Sequence, residues 1–453
     1  MTSTRKSSLL LLALDTVLTV LVFNLIGHYR IERHGVSPPF AVAPMLVPAA
    51  FFVFAIYLID GYRGRTNMQS LDYTSLHIIA TICAALATLL LTFVFIPFDF
   101  ELQSSRAVIA ISFLVLIPFT LGYRQLIAKR VNSGREDRNL LFVGDPASRE
   151  AFRTECAKMK VSQPVLYASN NPADPTPGIT PFVSMLGDIR DGRIPVEAII
   201  LRESHRDLSS ETAQELVSLY FGGVPTYTLE LFHQVYWQKI PLYRLNPTWL
   251  FQEGFQIARE PVFERLKRAS DIVLSALGLL LASPLIAVSA TLIWLEDRDS
   301  VWFFQTRIGR SQVPFQLVKL RTMRVQSAGG DLYTQNNDPR ITRIGSFLRR
   351  SRLDELPQLW NVLRGEMSLI GPRAEWNRLV ADYEKLIPCY SYRHLVKPGI
   401  TGWAQVNYPY GASLDDTLRK LEYDLYYIRH FSFLLDASIV LKTVQIMLFG
   451  KGR

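Results

Sequence analysis

The chain has 453 residues, with 49 Lys plus Arg against 40 Asp plus Glu and a formal net charge of +9. It is apolar as well as basic: 49% of the residues are hydrophobic, and mean hydropathy is +0.14 at a pI near 9.4. That pairing excludes a disordered chain and a disulfide-stapled secreted module, argues against a soluble nucleic-acid binder, and fits a membrane protein with basic cytoplasmic parts.

Four apolar runs open the chain, at Leu9 to Ile26, Phe40 to Ile59, Ser75 to Ile96 and Val108 to Ile127. Each is about 18 to 22 residues, enough to cross a ~30 Å hydrocarbon core as a helix. The first has no small-residue cleavage site, so it does not read as a signal peptide. Arg5 and Lys6 precede the first run, Arg63 and Arg65 follow the second, and Arg124, Lys129, Arg130 and Arg135 lie at or after the end of the fourth. The loop Pro97-Phe-Asp-Phe-Glu101 has no Lys or Arg. The positive-inside rule then sets both ends of the bundle in the cytoplasm, with Arg30 and Arg33 as a mild exception. Asp15, inside the first run, is expected to face the bundle and pair with a neighbouring helix.

After Arg138 the composition turns soluble. Asn139 to Gly144, Pro164 to Ala168, Val196 to Leu201 and Val224 to Leu229 read as strands. Ala147 to Lys160 and a segment capped by Ser209 and Ser210 read as helices between them. Alternation of this kind implies a parallel, doubly wound sheet. Its first turn, Gly144-Asp-Pro-Ala-Ser148, lacks the G-x-G-x-x-G pattern, so the domain is expected to hold no dinucleotide. Its expected role is regulation or the pairing of two copies into a homodimer.

A fifth apolar run, Ala269 to Leu295, contains Ser283-Pro284 near its middle. Proline removes one helical hydrogen bond and bends the helix. The arm before it, Ala269 to Ala282, would be about 21 Å long, too short to cross. Ten Lys and Arg between Arg307 and Arg352 disfavour export of the segment after the run. The run is therefore expected to enter the inner leaflet and turn back. Downstream, Ile341, Ile344, Phe347 and Leu348 among Arg340, Arg343, Arg349 and Arg350 form a basic amphipathic pattern, suited to an anionic leaflet or to packing on a core.

The densest chemistry lies in Arg349-Arg-Ser-Arg-Leu-Asp-Glu-Leu-Pro-Gln358 and Gly371-Pro-Arg373. Neighbouring Asp354 and Glu355 can divide two roles, nucleophile and metal ligand. Lys319, Arg321, Arg349, Arg352 and Arg373 supply cations for phosphate oxygens, with Pro372 in the turn before Arg373 and Lys397 in a second basic turn. A divalent metal would bridge carboxylate and pyrophosphate. Cys83, Cys156 and Cys389 are scattered and form neither a disulfide framework nor a zinc site. Tyr423, Tyr426 and Tyr427 read as core, and His394 as structural.

Residues 265 to 453 resemble the bacterial sugar transferases of the polyprenyl-phosphate hexose-1-phosphate transferase, or monotopic phosphoglycosyl transferase, family. The phrases that carry the likeness are Phe304-Gln-Thr-Arg-Ile-Gly309, Lys319-Leu-Arg-Thr-Met323, Leu353-Asp-Glu-Leu-Pro-Gln358, Met367-Ser-Leu-Ile-Gly-Pro-Arg373 and Lys397-Pro-Gly-Ile-Thr-Gly-Trp-Ala-Gln-Val406. The ending, with Asn407 to Ser413 and Leu421 to Tyr427, is similar to sugar transferases of exopolysaccharide operons associated with PEP-CTERM systems. The resemblance implies a membrane α-helical bundle of four spans over residues 1–135. It implies a cytoplasmic Rossmann-like α/β domain without a cofactor motif over 136–255. Residues 256–453 would be a mostly α monotopic catalytic domain, with a re-entrant helix at about 265–296 broken at Ser283 and Pro284.

The implied activity is transfer of a sugar-1-phosphate from a UDP-sugar to undecaprenyl phosphate at the bacterial inner membrane. Asp354 would form an aspartyl phosphosugar and release UMP; Glu355, with Asp354, would hold Mg²⁺. Small relatives often have Ser where this chain has Arg352, so donor contacts are expected to differ. A non-catalytic scaffold, and a glycosyltransferase releasing UDP, are the competing readings.

Overall fold

A computed structural model describes residues 3–32, 45–63, 66–92, 106–133, 138–159, 161, 163–170, 176, 179–202, 208–242, 261–324, 340–409, 411 and 413–449. The expected outer loop at Pro97–Glu101, with Arg33, Arg65 and Arg135, lies outside these, as do the side chains of Arg5, Lys6 and Arg30. The chain forms two compact units, Met1–Trp237 and Gln238–Arg453.

The first unit begins with four apolar helices, α1 (Ser3–Glu32), α2 (Leu46–Leu58), α3 (Leu71–Leu90) and α4 (Arg106–Ser133). Of these, α1, α3 and α4 are long and apolar enough to cross a membrane, whereas α2 has 13 described residues. α1 packs on α2 and α4, and α3 on the same two helices. Exposed leucines on every helix suit a lipid surround, and the polar groups turn inward. Asp15 and Arg124 are fully buried and form an ion pair, and the hydroxyls of Tyr62 and Tyr123 donate to the same carboxylate. Arg124 also donates to the Gly61 carbonyl at 2.5 Å. Asp15 thus faces the bundle with a partner on another helix, and Arg124 serves it rather than the leaflet surface.

The same unit continues with a parallel sheet of order β3-β2-β1-β4-β5. Its elements are β1 (Asn139–Val143), α5 (Pro146–Lys158), β2 (Val165–Ser169), β3 (Thr180–Pro181), α6 (Phe182–Arg190), β4 (Val196–Leu201), α7 (Ser210–Phe221), β5 (Thr226–Thr228) and α8 (Leu229–Phe232). β1 and β4 are central and nearly fully buried, as their unbroken apolar runs require of strands covered on both faces. Asp145 and Ser209 cap α5 and α7 through their side chains.

The second unit is built on α9 (Pro261–Asp297), a 37-residue helix. Pro284, where the sequence places a bend, lies inside it, and helical hydrogen bonding continues on both sides. The physical reason is local. Pro284 cannot bond the Leu280 carbonyl four residues back, and the Ser283 hydroxyl donates to that same oxygen at 2.8 Å. After α9 come an antiparallel hairpin, β6 (Trp302–Ile308) and β7 (Pro314–Leu320), then α10 (Arg343–Ser351), a 3₁₀ turn (Leu353–Glu355) and α11 (Gln358–Arg364). Next are β8 (Ser368–Ile370), α12 (Asn377–Leu386), a 3₁₀ segment (Tyr390–Leu395), β9 (Gly399–Thr401), α13 (Trp403–Asn407), α14 (Leu414–Arg429) and α15 (Phe433–Phe449). The main core joins Leu421, Leu425, Tyr427 and Ile428 of α14 to Tyr390, Trp403 and Ile439. Tyr423, Tyr426 and Tyr427 are all buried, as the sequence indicated.

Three glycines fix the approach of β8 to β9. A Cβ on Gly371 would lie 2.4 Å from the Lys397 carbonyl, one on Gly399 2.1 Å from Gly371 N, and one on Gly402 2.0 Å from Gly371 O. The Gly-Pro-Arg and Lys-Pro-Gly-Ile-Thr-Gly phrases are thus two halves of one backbone contact, completed by the bonds Gly371 N to Thr401 O (2.9 Å) and Gly399 N to Pro372 O (2.8 Å). We expect Gly402→Ala to cost about 1–3 kcal/mol, roughly 2–4 °C per kcal/mol in the melting of detergent-purified protein. Gly187→Ala, where a Cβ meets nothing within 4 Å inside α6, is expected to leave melting unchanged or slightly raised, alanine being the better helix former. Equal melting of the two variants would refute the packing argument.

Candidate active site

The carboxylate pair sits on a forced turn. α10 starts at Thr342, whose hydroxyl accepts from Gly345 N at 2.9 Å, and ends at Arg352, a non-glycine residue in the left-handed region at φ 59°. Only a few per cent of such residues adopt it, and it costs of order 1–3 kcal/mol unless the surroundings impose it. The chain reverses there into the 3₁₀ turn and presents Asp354 and Glu355. Leu348 of α10 is buried against Ile293 and Leu320, whereas Phe347 is exposed. The amphipathic pattern around these residues therefore serves the core through Leu348.

Three segments meet at Glu355. Lys319, near the end of β7, places Nζ 2.9 Å from Glu355 Oε1. Arg373, just past β8, donates from Nη2 to the same oxygen at 3.1 Å. Arg352 Nη1 stands 3.8 Å from Glu355 Oε2. Burial alone would raise the Glu355 carboxyl, but Lys319 and then Arg373 overcome it and hold the group well below the usual carboxylate range. Asp354 moves the other way. Burial, and next the Glu355 charge, raise its carboxyl, against Lys319, Arg349 and Arg352. Two adjacent carboxylates thus differ in kind: Glu355 is fixed as an anion among cations, and Asp354 is buried and basic for its type.

Among the described residues, Asp354 Oδ1 and Arg349 Nη1 are buried here with no hydrogen-bond partner. A buried group of this kind calls for a water, an ion or a ligand to complete its bonding. Among the described residues no set of three or more His, Cys, Asp and Glu is arranged to hold a metal. The outer Glu355 oxygen, with the Asp354 carboxylate beside it, nonetheless suits a cation such as Mg²⁺, which takes one or two carboxylates and completes its shell with water and substrate phosphate.

Not every basic residue in the motif reaches the pair. Arg321 is buried and chelated by Asp297 at the end of α9, with Asp299 at 3.6 Å; it fastens the hairpin to the helix. Lys397 has Arg268, Asp271, Arg310 and Glu264 as its charged neighbours, near the start of α9. Pro372 gives its carbonyl to Gly399 and lies in the backbone contact that delivers Arg373. His394 is buried, and burial pushes its ring down to about 4, so it is neutral.

Other residues position the site without any mark in the motif. Asn361 of α11 accepts from Val318 N (3.0 Å) and donates to Gln316 O (2.7 Å), bonding the helix to the edge of β7 beside Lys319. Arg268 donates to the Val362 and Leu363 carbonyls at 2.5 and 2.7 Å, capping the C-terminus of α11. Asp271 accepts from Ser368 Oγ and Leu369 N, both at 3.1 Å, and ties α9 to β8. The one available signal was polar residues inside apolar patterns: Asn361 between Trp360 and Val362, and Asp424 between Tyr423 and Leu425.

Comparison with known proteins places these features in a family. Residues 262–450 match the family model described as bacterial sugar transferase. The chain is 37% identical over 262 residues to a UDP-N-acetylgalactosamine-undecaprenyl-phosphate N-acetylgalactosaminephosphotransferase of Aeromonas hydrophila, covering 58% of this chain and 61% of that protein. It is 48% identical over 185 residues to a UDP-glucose:undecaprenyl-phosphate glucose-1-phosphate transferase of Escherichia coli (strain K12), covering 40% and 39%. It is 42% identical over 196 residues to the exopolysaccharide production protein PSS of Rhizobium leguminosarum bv. phaseoli, covering 41% of this chain and 98% of that protein. The match thus spans less than two thirds of the first two relatives and nearly all of the third. The chain belongs to the bacterial sugar transferase family.

Proposed function

We propose that this protein transfers a sugar-1-phosphate from a UDP-sugar to undecaprenyl phosphate. The observation that carries the reading is the buried Asp354 oxygen without a partner, ringed by Lys319, Arg349, Arg352 and the Glu355–Arg373 pair. The names of the relatives support the same donor and acceptor classes. Asp354 attacks the β-phosphorus of the donor. The bond from that phosphorus to the bridging oxygen breaks, UMP leaves with the oxygen, and an aspartyl phosphosugar remains. An oxygen of undecaprenyl phosphate then attacks the same phosphorus and frees the carboxylate. Phosphoryl transfer asks for positioning and charge neutralisation, which the arginines supply. Mg²⁺ held by Glu355 with Asp354 would neutralise pyrophosphate charge.

The membrane placement belongs to the same proposal. α9 is a re-entrant helix in the inner leaflet, and the catalytic unit lies on the cytoplasmic face. Support comes from the two ends of α9, which are held by one compact unit. Lys267 bonds Asp436 at 2.5 Å and Arg268 caps α11, while Glu296 accepts from Arg343 N at 3.0 Å and Asp297 pairs with Arg321. A spanning helix would separate such ends by ~30 Å across the bilayer. Leu280 and Leu281, in the turn before Pro284, are 70% and 69% exposed and suit acyl chains. The parallel sheet of the first unit is the cofactor-free Rossmann-like domain of this proposal.

With undecaprenyl phosphate and a panel of UDP-sugars, the wild-type protein is expected to release UMP, and Asp354→Asn to lose at least about 100-fold in that rate. Release of UDP in place of UMP, or full UMP release by Asp354→Asn, would remove the mechanism. The pH profile gives a second test. A nucleophilic carboxylate works ionised, and the Asp354 carboxyl is raised above 3.8. The rate is therefore expected to rise with pH through that elevated value. Arg349 lowers the Asp354 carboxyl, so Arg349→Met is expected to move this acid limb to higher pH. A limb unmoved by the substitution would show that Asp354 does not set it.

A further inference from the structure

We propose that Arg393, held by Asp424, is a positioning residue that sets the Arg373 guanidinium against Glu355. This rests on the reading of Arg373 as part of a phosphate-handling site.

The segment from Pro372 to Glu375 carries Arg373 between two strands, and each of its carbonyls has a donor. Pro372 O receives Gly399 N at 2.8 Å, Ala374 O receives Arg307 Nη1 at 3.0 Å, and Glu375 O receives Ile308 N at 3.1 Å. The Arg373 carbonyl receives Arg393 Nη2 at 3.0 Å. Three of these four bonds hold the neighbours of Arg373, and the fourth holds Arg373 itself. Its donor lies in the 3₁₀ segment, 20 residues further along the chain.

Arg393 is 5% exposed, so its charge must be matched inside the protein. Nη2 also meets Asp424 Oδ2 of α14 at 2.9 Å, Nη1 donates to the Tyr390 hydroxyl at 2.7 Å, and Glu375 Oε1 stands 3.6 Å away. One guanidinium thus spans a carbonyl, a carboxylate and a phenol on three segments. A planar fork with donors on both arms does this, whereas an ammonium is a single point charge. Asp424 has the matching burial, at 1% exposed. Arg393 meets the Asp354–Glu355 pair through the Arg373 backbone, so its effect on chemistry is exerted through where Arg373 points. Arg373 Nη2 reaches Glu355 Oε1 at 3.1 Å, and a small shift of its backbone would break that contact and misdirect the phosphate-facing arm.

The experiment is a double-mutant cycle on the full-length protein in detergent, with UMP release as the readout and melting as a control. Arg393→Gln is expected to lower kcat/KM by about 10-fold, and Arg373→Ala by at least as much. The double variant is expected to be within about 2-fold of Arg373→Ala alone, because nothing remains to be positioned. Losses that multiply would mean that Arg393 acts independently of Arg373 and would overturn the proposal. Arg393→Lys keeps the charge in the event that the glutamine variant fails to fold. It is expected to raise KM for the UDP-sugar at unchanged melting, and an unchanged KM would also overturn it. A second readout needs no activity: hydrogen exchange over 371–376 is expected to quicken in Arg393→Lys. Unchanged protection there sinks the positioning role, whereas an inactive wild type sinks only the reading of the reaction.

Discussion

The second unit is organised around one carboxylate. Glu355 Oε1 accepts from Lys319 and Arg373 together, and these three residues come from β7, the turn after α10 and the end of β8. A buried ion pair is poor evidence for stability, because desolvation offsets most of the Coulomb attraction. It is better evidence for a required geometry, since removing one partner leaves a charge buried without a match. Much of the surrounding structure holds those three segments in register. Asn361 fixes β7 to α11, the glycine contact of β8 and β9 delivers Arg373, and the left-handed Arg352 turns the chain into the pair.

This arrangement also explains how two neighbouring acids come to differ. Glu355 absorbs the nearest cations and stays ionised. Asp354, its neighbour in the chain, is left with the desolvation of the site and an oxygen that nothing satisfies. The cations near Asp354 act on it through space and do not bond to Oδ1. They lower the energy of its anion without occupying the atom that would attack a phosphorus. A carboxylate already bonded to Lys319 would have to break that bond first.

How far the sequence can be read depends on the kind of information each feature carries. The Asp354–Glu355 phrase, the apolar runs and the buried tyrosines are local patterns of composition and spacing, and they are legible. Which cation faces the site is not, because charge does not name its partner. Lys319 and Arg321 are two residues apart, yet Lys319 meets Glu355 while Arg321 is taken up by Asp297. The deciding residue lies more than twenty positions upstream, at the end of an apolar helix. At the proline of α9 the lost N–H predicts a bend, and the hydroxyl of Ser283 on the Leu280 carbonyl answers that lost bond. Arg393 carries no mark at all, because its importance lies in four partners brought together by folding.

The basic character of the chain can be divided by what each charge does. Arg124, Arg321 and Arg393 are buried, and their charges are matched by Asp15, Asp297 and Asp424. They order the interior and add little to any external field. Those at the pair are different in kind, since Arg352 is nearly half exposed at its side chain and stands 3.8 Å from Glu355. The internal struts cancel within their pairs and add nothing to the excess of +9, and a smaller set of cations faces an open carboxylate. The smaller set is what a diphosphate would meet. Its geometry depends on the struts, because the Arg373 carbonyl is held by one of them.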